Sequence, residues 1–161
     1  MPEVICNTSP LQYLYQLGLL DLLPGLIREI IIPLAVAEEL EAGRALGLEL
    51  PDVSSLDWIT VRSPKQSGQE PSFTDLGRGE TEVLLLALET SAEVILILDD
   101  RSARETAEQH GLKFTGTLGI LLDAKHAGLI PAVTPYLDHL DSLGFHLARY
   151  TREAVLKLAG E

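Results

Sequence analysis

The chain has 161 residues, 46% of them hydrophobic and 22% charged, the size and balance of one globular domain whose core is large enough to need no disulfide or structural metal for stability. Its formal net charge of −12 excludes sequence-independent coating of DNA or of an anionic membrane, so any nucleic acid must be met locally. With 5% aromatic residues and a single cysteine, Cys6, base-stacking platforms lack material, and intramolecular disulfides and thiolate metal sites are excluded.

The opening Met-Pro-Glu carries no basic leader, and the longest purely apolar run, Ile30 to Ala37, contains Pro33 and is far too short for a membrane span. The expectation is a cytoplasmic chain without membrane contact. Val4 to Cys6 predicts a short strand, and Ser9-Pro10 a helix start leading into an apolar stretch from Leu11 to Leu23. Ile30 to Ile32 predicts a second strand, closed by Pro33, which also suits the first turn of a helix to about Ala42. Trp58 to Val61 reads as a lone extended segment, and Ser63 to Asp75, with two prolines and a glycine, as a mobile loop rather than a linker.

Beyond that loop, Gly77 to Gly79 opens a helix through Leu88, and Val94 to Leu98 has the continuous apolar character of a strand buried on both faces. A helix from Ser102 to His110, a strand from Lys113 to Thr115, a helix capped by Thr117 to Ala127, and a helix from Thr134-Pro135 to near Gly144 follow. A last helix is expected after Thr151. Strands alternating with helices predict a three-layer α/β/α fold around a central, mostly parallel sheet. Residues 1–161 are expected to form a single domain, with a helical extension over about 131–161. Leu11, Leu14, Tyr15, Leu19, Leu22 and Leu23 exceed what one short helical hairpin needs for its own core, so an apolar face near the N-terminus is expected to join two copies of the chain.

In open parallel sheets the ligand crevice lies beyond the carboxyl ends of the strands. Two predicted strand ends are polar there: Asn7-Thr8-Ser9 after the first strand, and Asp99-Asp100-Arg101 after Val94 to Leu98. Adjacent carboxylates at the end of a buried strand repel unless a cation, a helix N-terminus or a basic side chain offsets them. Helix capping by Asp100 accounts for one of the two acids and leaves the other without a role. Glu39, three residues after Val36, and Glu80, three and four before Val83 and Leu84, lie on helix faces that also carry apolar residues. Taken singly, these acids read as a solvated face and as complements to a helix dipole. Taken together, they can converge on one pocket with oxygen ligands suited to Mg2+ or Mn2+.

The runs Val-Ile-Cys-Asn-Thr-Ser-Pro-Leu at 4–11, Ile-Pro-Leu-Ala-Val-Ala-Glu-Glu-Leu at 32–40, Leu-Gly-Arg-Gly-Glu-Thr-Glu at 76–82 and Leu-Asp-Asp-Arg-Ser-Ala-Arg at 98–104 resemble a PIN domain. Gly-Thr-Leu-Gly-Ile-Leu at 116–121 and Ala-Gly-Leu-Ile-Pro at 127–131 narrow the likeness to the stand-alone prokaryotic branch related to VapC toxin ribonucleases. The resemblance implies a metal-dependent nuclease with acidic residues around Mg2+ or Mn2+. Matched motif by motif, it places catalytic and metal-binding roles on Asn7, Glu39, Glu80 and either Asp100 or Asp99, with Asp100 preferred because Arg101 follows it. Ser9 and Thr117 become supporting residues behind the ligands. Asn7 departs from the Asp that most PIN domains carry, although this branch often reads Asn-Thr-Ser. The resemblance further implies an RNA substrate, a homodimer and a small antitoxin protein as partner.

Arg78, Arg101 and Arg104 flank the two downstream acidic motifs, either balancing local charge, forming a rim that grips substrate phosphates, or meeting an acidic or C-terminal segment of an inhibitory partner. Leu-Ile-Leu-Asp-Asp also resembles the start of a receiver domain, but the chain after Asp100 is too short for the remaining elements of that fold. His110, His126, His139 and His146 show no metal-ligand spacing and are expected at the surface or at helix ends. Gly77-Arg78-Gly79 lacks the spacing and Lys of a phosphate-binding loop and reads as helix entry.

Overall fold

The computed structural model describes residues 2–65, 73 and 75–161, so most of the expected loop from Ser63 to Asp75 lies outside the described residues. The strands β1 (Glu3–Cys6), β2 (Ile30–Pro33), β3 (Ile59–Arg62), β4 (Val94–Ile97) and β5 (Lys113–Thr115) form one sheet of order β3-β2-β1-β4-β5, with every pairing parallel. The apolar runs Ile30 to Ile32 and Val94 to Ile97, β-branched except at Leu96, fit central strands, because such side chains pack well when helices cover both sheet faces. The sheet is thus entirely parallel rather than mostly so. Its order reverses direction at β1, and the crevice between β1 and β4 is the switch point at which α/β sheets bind ligands.

The helices flanking the sheet are α1 (Thr8–Gln16), α2 (Leu23–Leu26), α3 (Leu34–Ala45), α4 (Arg78–Glu89), α5 (Arg101–Gln109), α6 (Thr117–His126), α7 (Thr134–Ser142) and α8 (Arg149–Ala159). Helix α4 lies against β1, β2 and β4. Val83 to Ala87 are all buried there, the pattern of a helix sunk into the core rather than lying on it.

The stretch from Leu11 to Leu23 is not one continuous helix. It breaks at Gly18, which adopts a left-handed φ of 76°. The Gly18 amide donates to the Tyr15 carbonyl at 3.0 Å and the Leu19 amide to the Leu14 carbonyl at 2.8 Å, closing α1 with a Schellman motif. A 3-10 turn over Leu20–Leu22 then leads into α2. That reversal turns the leucines inward. Leu11, Leu14, Leu19 and Leu23 are buried, Leu22 packs partly against the core, and Tyr15 is exposed. Four of the six residues of that face thus enter this chain's own core, where α1 packs on α3 and α6. The last helix also differs, starting two residues before Thr151 at Arg149, with Arg152 bonded back to the Ala148 carbonyl. All four histidines are exposed, as expected.

The C-terminal helices share the main core through Val133, Leu137, Leu140, Val155 and Ala159. Helix α7 has no side-chain cap from its own N-cap residue, Val133. Glu161 supplies one from a distance, accepting hydrogen bonds from the Val133 amide at 2.7 Å, the Thr134 amide at 3.1 Å and the Thr134 hydroxyl at 2.5 Å. Lys125 Nζ donates to the same carboxylate at 3.0 Å. The Thr134 hydroxyl first, then the Val133 amide and Lys125, hold this carboxyl down at about 2. Because the folded chain binds this proton less readily than the unfolded one, the stabilisation is complete above about pH 4.5 and disappears as pH falls toward about 2. The difference in melting temperature between the native chain and Glu161→Gln should follow that course, and a pH-independent difference would contradict it.

Candidate metal and catalytic site

Asn7 directly follows β1, and its amide donates to the Ile97 carbonyl of β4 at 3.1 Å, which fixes it at the switch point. Its side chain is buried, 2% exposed, and among the described residues Oδ1 has no hydrogen-bond partner. An unsatisfied buried carbonyl costs about 1–3 kcal/mol, so the position is expensive unless something else meets that oxygen. Glu39, an exposed residue on α3, brings a carboxylate to the same place. A Cβ built on Gly79 would lie 2.6 Å from Glu39 Oε1 and 3.2 Å from Asn7 Oδ1. The absence of a side chain at Gly79, in the first turn of α4, is what admits both oxygens.

The other oxygen of Glu39 accepts a hydrogen bond from the Thr8 hydroxyl at 2.7 Å. Thr8, not Ser9, is therefore the hydroxyl of the first motif that touches the helix acid, and Ser9 lies beside it in the first turn of α1. Glu80 turns back over the entry to its own helix, with Oε2 placed 2.7 Å from where a Cβ on Gly77 would be.

The strand-end acids separate into two tasks. Asp100 is exposed and caps α5, accepting from the Ala103 amide at 2.9 Å. Asp99 is part-buried and reaches across to α6, accepting from the Thr117 amide at 2.8 Å and the Thr117 hydroxyl at 2.6 Å. The N-cap of α6 is Gly116, which has no side chain to do this itself. Capping thus accounts for both acids, contrary to the expectation that it explains one. Burial pushes the Asp99 carboxyl up, outweighing the Thr117 hydrogen bonds and the Arg104 charge that favour its ionised form. Burial likewise pushes up the thiol of Cys6, with the Asp99 charge adding to the effect.

The three arginines are largely occupied. Arg78 pairs with Glu38 at 2.6 Å and with Glu82 at 3.3 Å, and these carboxylates, Glu38 foremost, raise its pKa further. Arg104 donates from Nε to the Leu98 carbonyl at 2.7 Å, lies over the Phe114 ring at 5.2 Å and approaches Gly116. Arg101, with a side chain 93% exposed, meets Glu105 one turn along at 3.2 Å. Local charge balance describes Arg78 well, and Arg101 is the most accessible of the three.

Among the described residues no group of three or more His, Cys, Asp or Glu side chains is placed to hold a metal ion. The structure brings Asn7 and Glu39 to either side of the Gly79 Cα, engages Asp99 and Asp100 in helix caps, and turns Glu80 over Gly77. Asn7 Oδ1 and Glu39 Oε1 are nevertheless oxygen donors of the kind a hard divalent cation selects, and a cation would satisfy the unpaired amide oxygen.

A family model described as a PIN domain matches residues 3–161. The chain belongs to the PIN domain family. PIN domains are commonly nucleases and generally use divalent metal ions. No curated protein matches the chain significantly. Within this PIN domain, sequence reasoning passed over three residues that shape the site: Thr8, Gly79 and Glu82. Glu82 is 5% exposed and sits beside the apolar run from Val83 to Leu86, with Arg78 one turn before it. An acid entering such a run with a basic partner four residues away is the signal that marks it.

Proposed function

We propose that this PIN domain is a Mg2+- or Mn2+-dependent ribonuclease that cuts RNA internally, of the branch related to VapC toxins. The observation that carries the reading is the buried, unpartnered Oδ1 of Asn7 beside the Glu39 carboxylate at the sheet's switch point. Asn7 and Glu39 would hold the cation, with Glu80 and Asp99 or Asp100 as the further acids and Thr8 and Thr117 steadying Glu39 and Asp99. Either Asp99 or Asp100 would be the strand-end acid: each caps a helix, Asp99 being part-buried and Asp100 exposed. When bound, such a cation lowers the pKa of a water and offsets charge on the phosphoryl oxygens. Asn7 contributes an oxygen without net charge and cannot serve as a base. Arg101 is the cation open to a substrate phosphate. This reading also implies a second copy of the chain and a small antitoxin protein as partners, and action in the cytoplasm.

A second reading keeps the fold without cleavage, as a module that binds RNA or a protein. It is favoured by the engagement of Asp99 and Asp100 in capping α6 and α5. Purified protein incubated with varied RNAs in Mn2+, Mg2+ or EDTA separates the two. The nuclease reading expects internal cleavage with either metal and none in EDTA. Cleavage that survives EDTA, or none with any RNA and metal, would overturn it.

A further inference from the structure

Helix α3 has Pro33 as its N-cap residue, whose side chain offers no cap, so its first amides need acceptors from elsewhere. Glu82 of α4 provides one: Oε1 accepts from the Ala35 amide at 3.1 Å, across 47 positions of sequence. Its other oxygen meets Arg78 Nε at 3.3 Å, and Arg78 continues to Glu38 on α3 at 2.6 Å. A second contact between the same two helices is the approach of Glu39 to Gly79. Gly79 and Glu82 lie three residues apart on α4, and Ala35 and Glu39 four apart on α3, so each pair shares one helix face. The two contacts therefore run along a single seam. One is a buried, charge-assisted cap, the stronger kind of hydrogen bond, and the other sets where the Glu39 carboxylate stands relative to Asn7.

We propose that Glu82 is a positioning residue: by capping α3 from α4 it holds Glu39 over Gly79 and beside Asn7 Oδ1, with Arg78 as its counter-ion. This rests on reading Asn7 and Glu39 as the cation ligands. A buried carboxylate at this point is otherwise costly, and an apolar residue would fill the space without it. The seam explains why an acid stands there.

The test uses the full chain with Mn2+ alone as probe, read by calorimetry and by NMR of the metal-free protein. In Glu82→Ala, Mn2+ affinity should fall about tenfold or more, as when a partner behind a metal ligand is lost. In the same metal-free variant, the Asn7 side-chain NH2 and Gly79 amide resonances should move. Glu82→Gln keeps an oxygen able to accept from Ala35 and should recover most of both. Val155→Ala, at a buried position of α8, should lower the melting temperature while leaving affinity and both resonances in place. Glu82→Asp keeps the charge but is one methylene shorter; if Glu82→Ala does not fold, the same shifts in Glu82→Asp support the proposal and their absence overturns it. A destabilised Glu82→Ala with native resonances and native Mn2+ affinity overturns it, as does a Glu82→Gln that behaves like Glu82→Ala. If the native chain binds no Mn2+, the cation reading fails by itself, and the metal-free resonances alone decide whether Glu82 positions Glu39.

Discussion

Glu39→Gln should lower Mn2+-dependent cleavage by about a hundredfold, a loss of roughly 2.7 kcal/mol in transition-state stabilisation, while leaving the fold intact. Glu39 is exposed, and its link to the chain beyond α3 is the hydrogen bond from Thr8, which an amide oxygen can still accept. Stability should thus stay within about 0.5 kcal/mol of the native chain, as for most surface substitutions. What changes is charge at the point where Glu39 meets Asn7. The complementary change, Asn7→Asp, adds a negative charge to a residue that is already 2% exposed and unpaired at Oδ1. Without metal it should destabilise the fold, because a buried carboxylate near Glu39 is repelled as well as desolvated. With Mn2+ it should bind more tightly than the native chain and show a larger upward shift in melting temperature, since ligand binding to the folded state adds to stability. Asp100→Asn serves as the contrast: Asn caps helices as well as Asp does, so α5 should keep its cap and its stability. Calorimetry and a cleavage assay on the three variants settle the matter. Unchanged Mn2+ affinity in both Glu39→Gln and Asn7→Asp would place the cation elsewhere.

Gly79→Ala should abolish the site while sparing the fold, an outcome opposite to the usual effect of this substitution in a helix. Alanine is favoured over glycine in a helix interior by up to about 1 kcal/mol, so propensity alone predicts a gain. The new Cβ, however, would fall 2.6 Å from Glu39 Oε1 and 3.2 Å from Asn7 Oδ1. Glu39 is the flexible partner and would swing away, whereas Asn7 is held at the end of β1. The donor pair is parted although little packing is lost. Mn2+ affinity and cleavage should drop by about a hundredfold, comparable with losing a metal-binding partner outright, and the melting temperature should move by only a few degrees. Gly77→Ala makes the corresponding comparison for Glu80, since its Cβ would fall 2.7 Å from Glu80 Oε2 and meets no atom of Asn7 or Glu39. A Gly79→Ala protein with native Mn2+ affinity would show that the two oxygens do not act together.

Much of the architecture was legible in the chain. The apolar runs at Ile30 to Ile32 and Val94 to Ile97, each followed by a helix signal, specify strands buried on both faces, and such strands pair in parallel because the intervening helices must cross over the sheet. Pro33 and the Thr134-Pro135 pair marked helix entries because proline fixes φ and lacks the amide that a helix start leaves unused. The break at Gly18 was missed. Leucine periodicity continues through it, and only the left-handed turn shows that the second set of leucines returns to the same core instead of extending outward.

Sequence by itself determined the residue types available for the site and their order along the chain: Asn7, Glu39, Glu80, Asp99 and Asp100, each near a strand end or helix start. Its motifs also resemble those of the PIN domain family, to which the matching family model assigns residues 3–161. Which of those residues meet was decided only in three dimensions. Asp99 and Asp100 are adjacent in sequence, yet successive side chains leaving a strand end point in different directions, so one caps α5 and the other α6. Asn7 and Glu39 lie 32 positions apart and meet because Gly79, from a third segment, leaves space between them. Glu82 caps a helix that begins 48 residues before it. Local propensity carries no information about such contacts; they arise from how the helices pack around the sheet, which sets the Glu82 carboxylate against the Ala35 amide and Asp99 against Thr117.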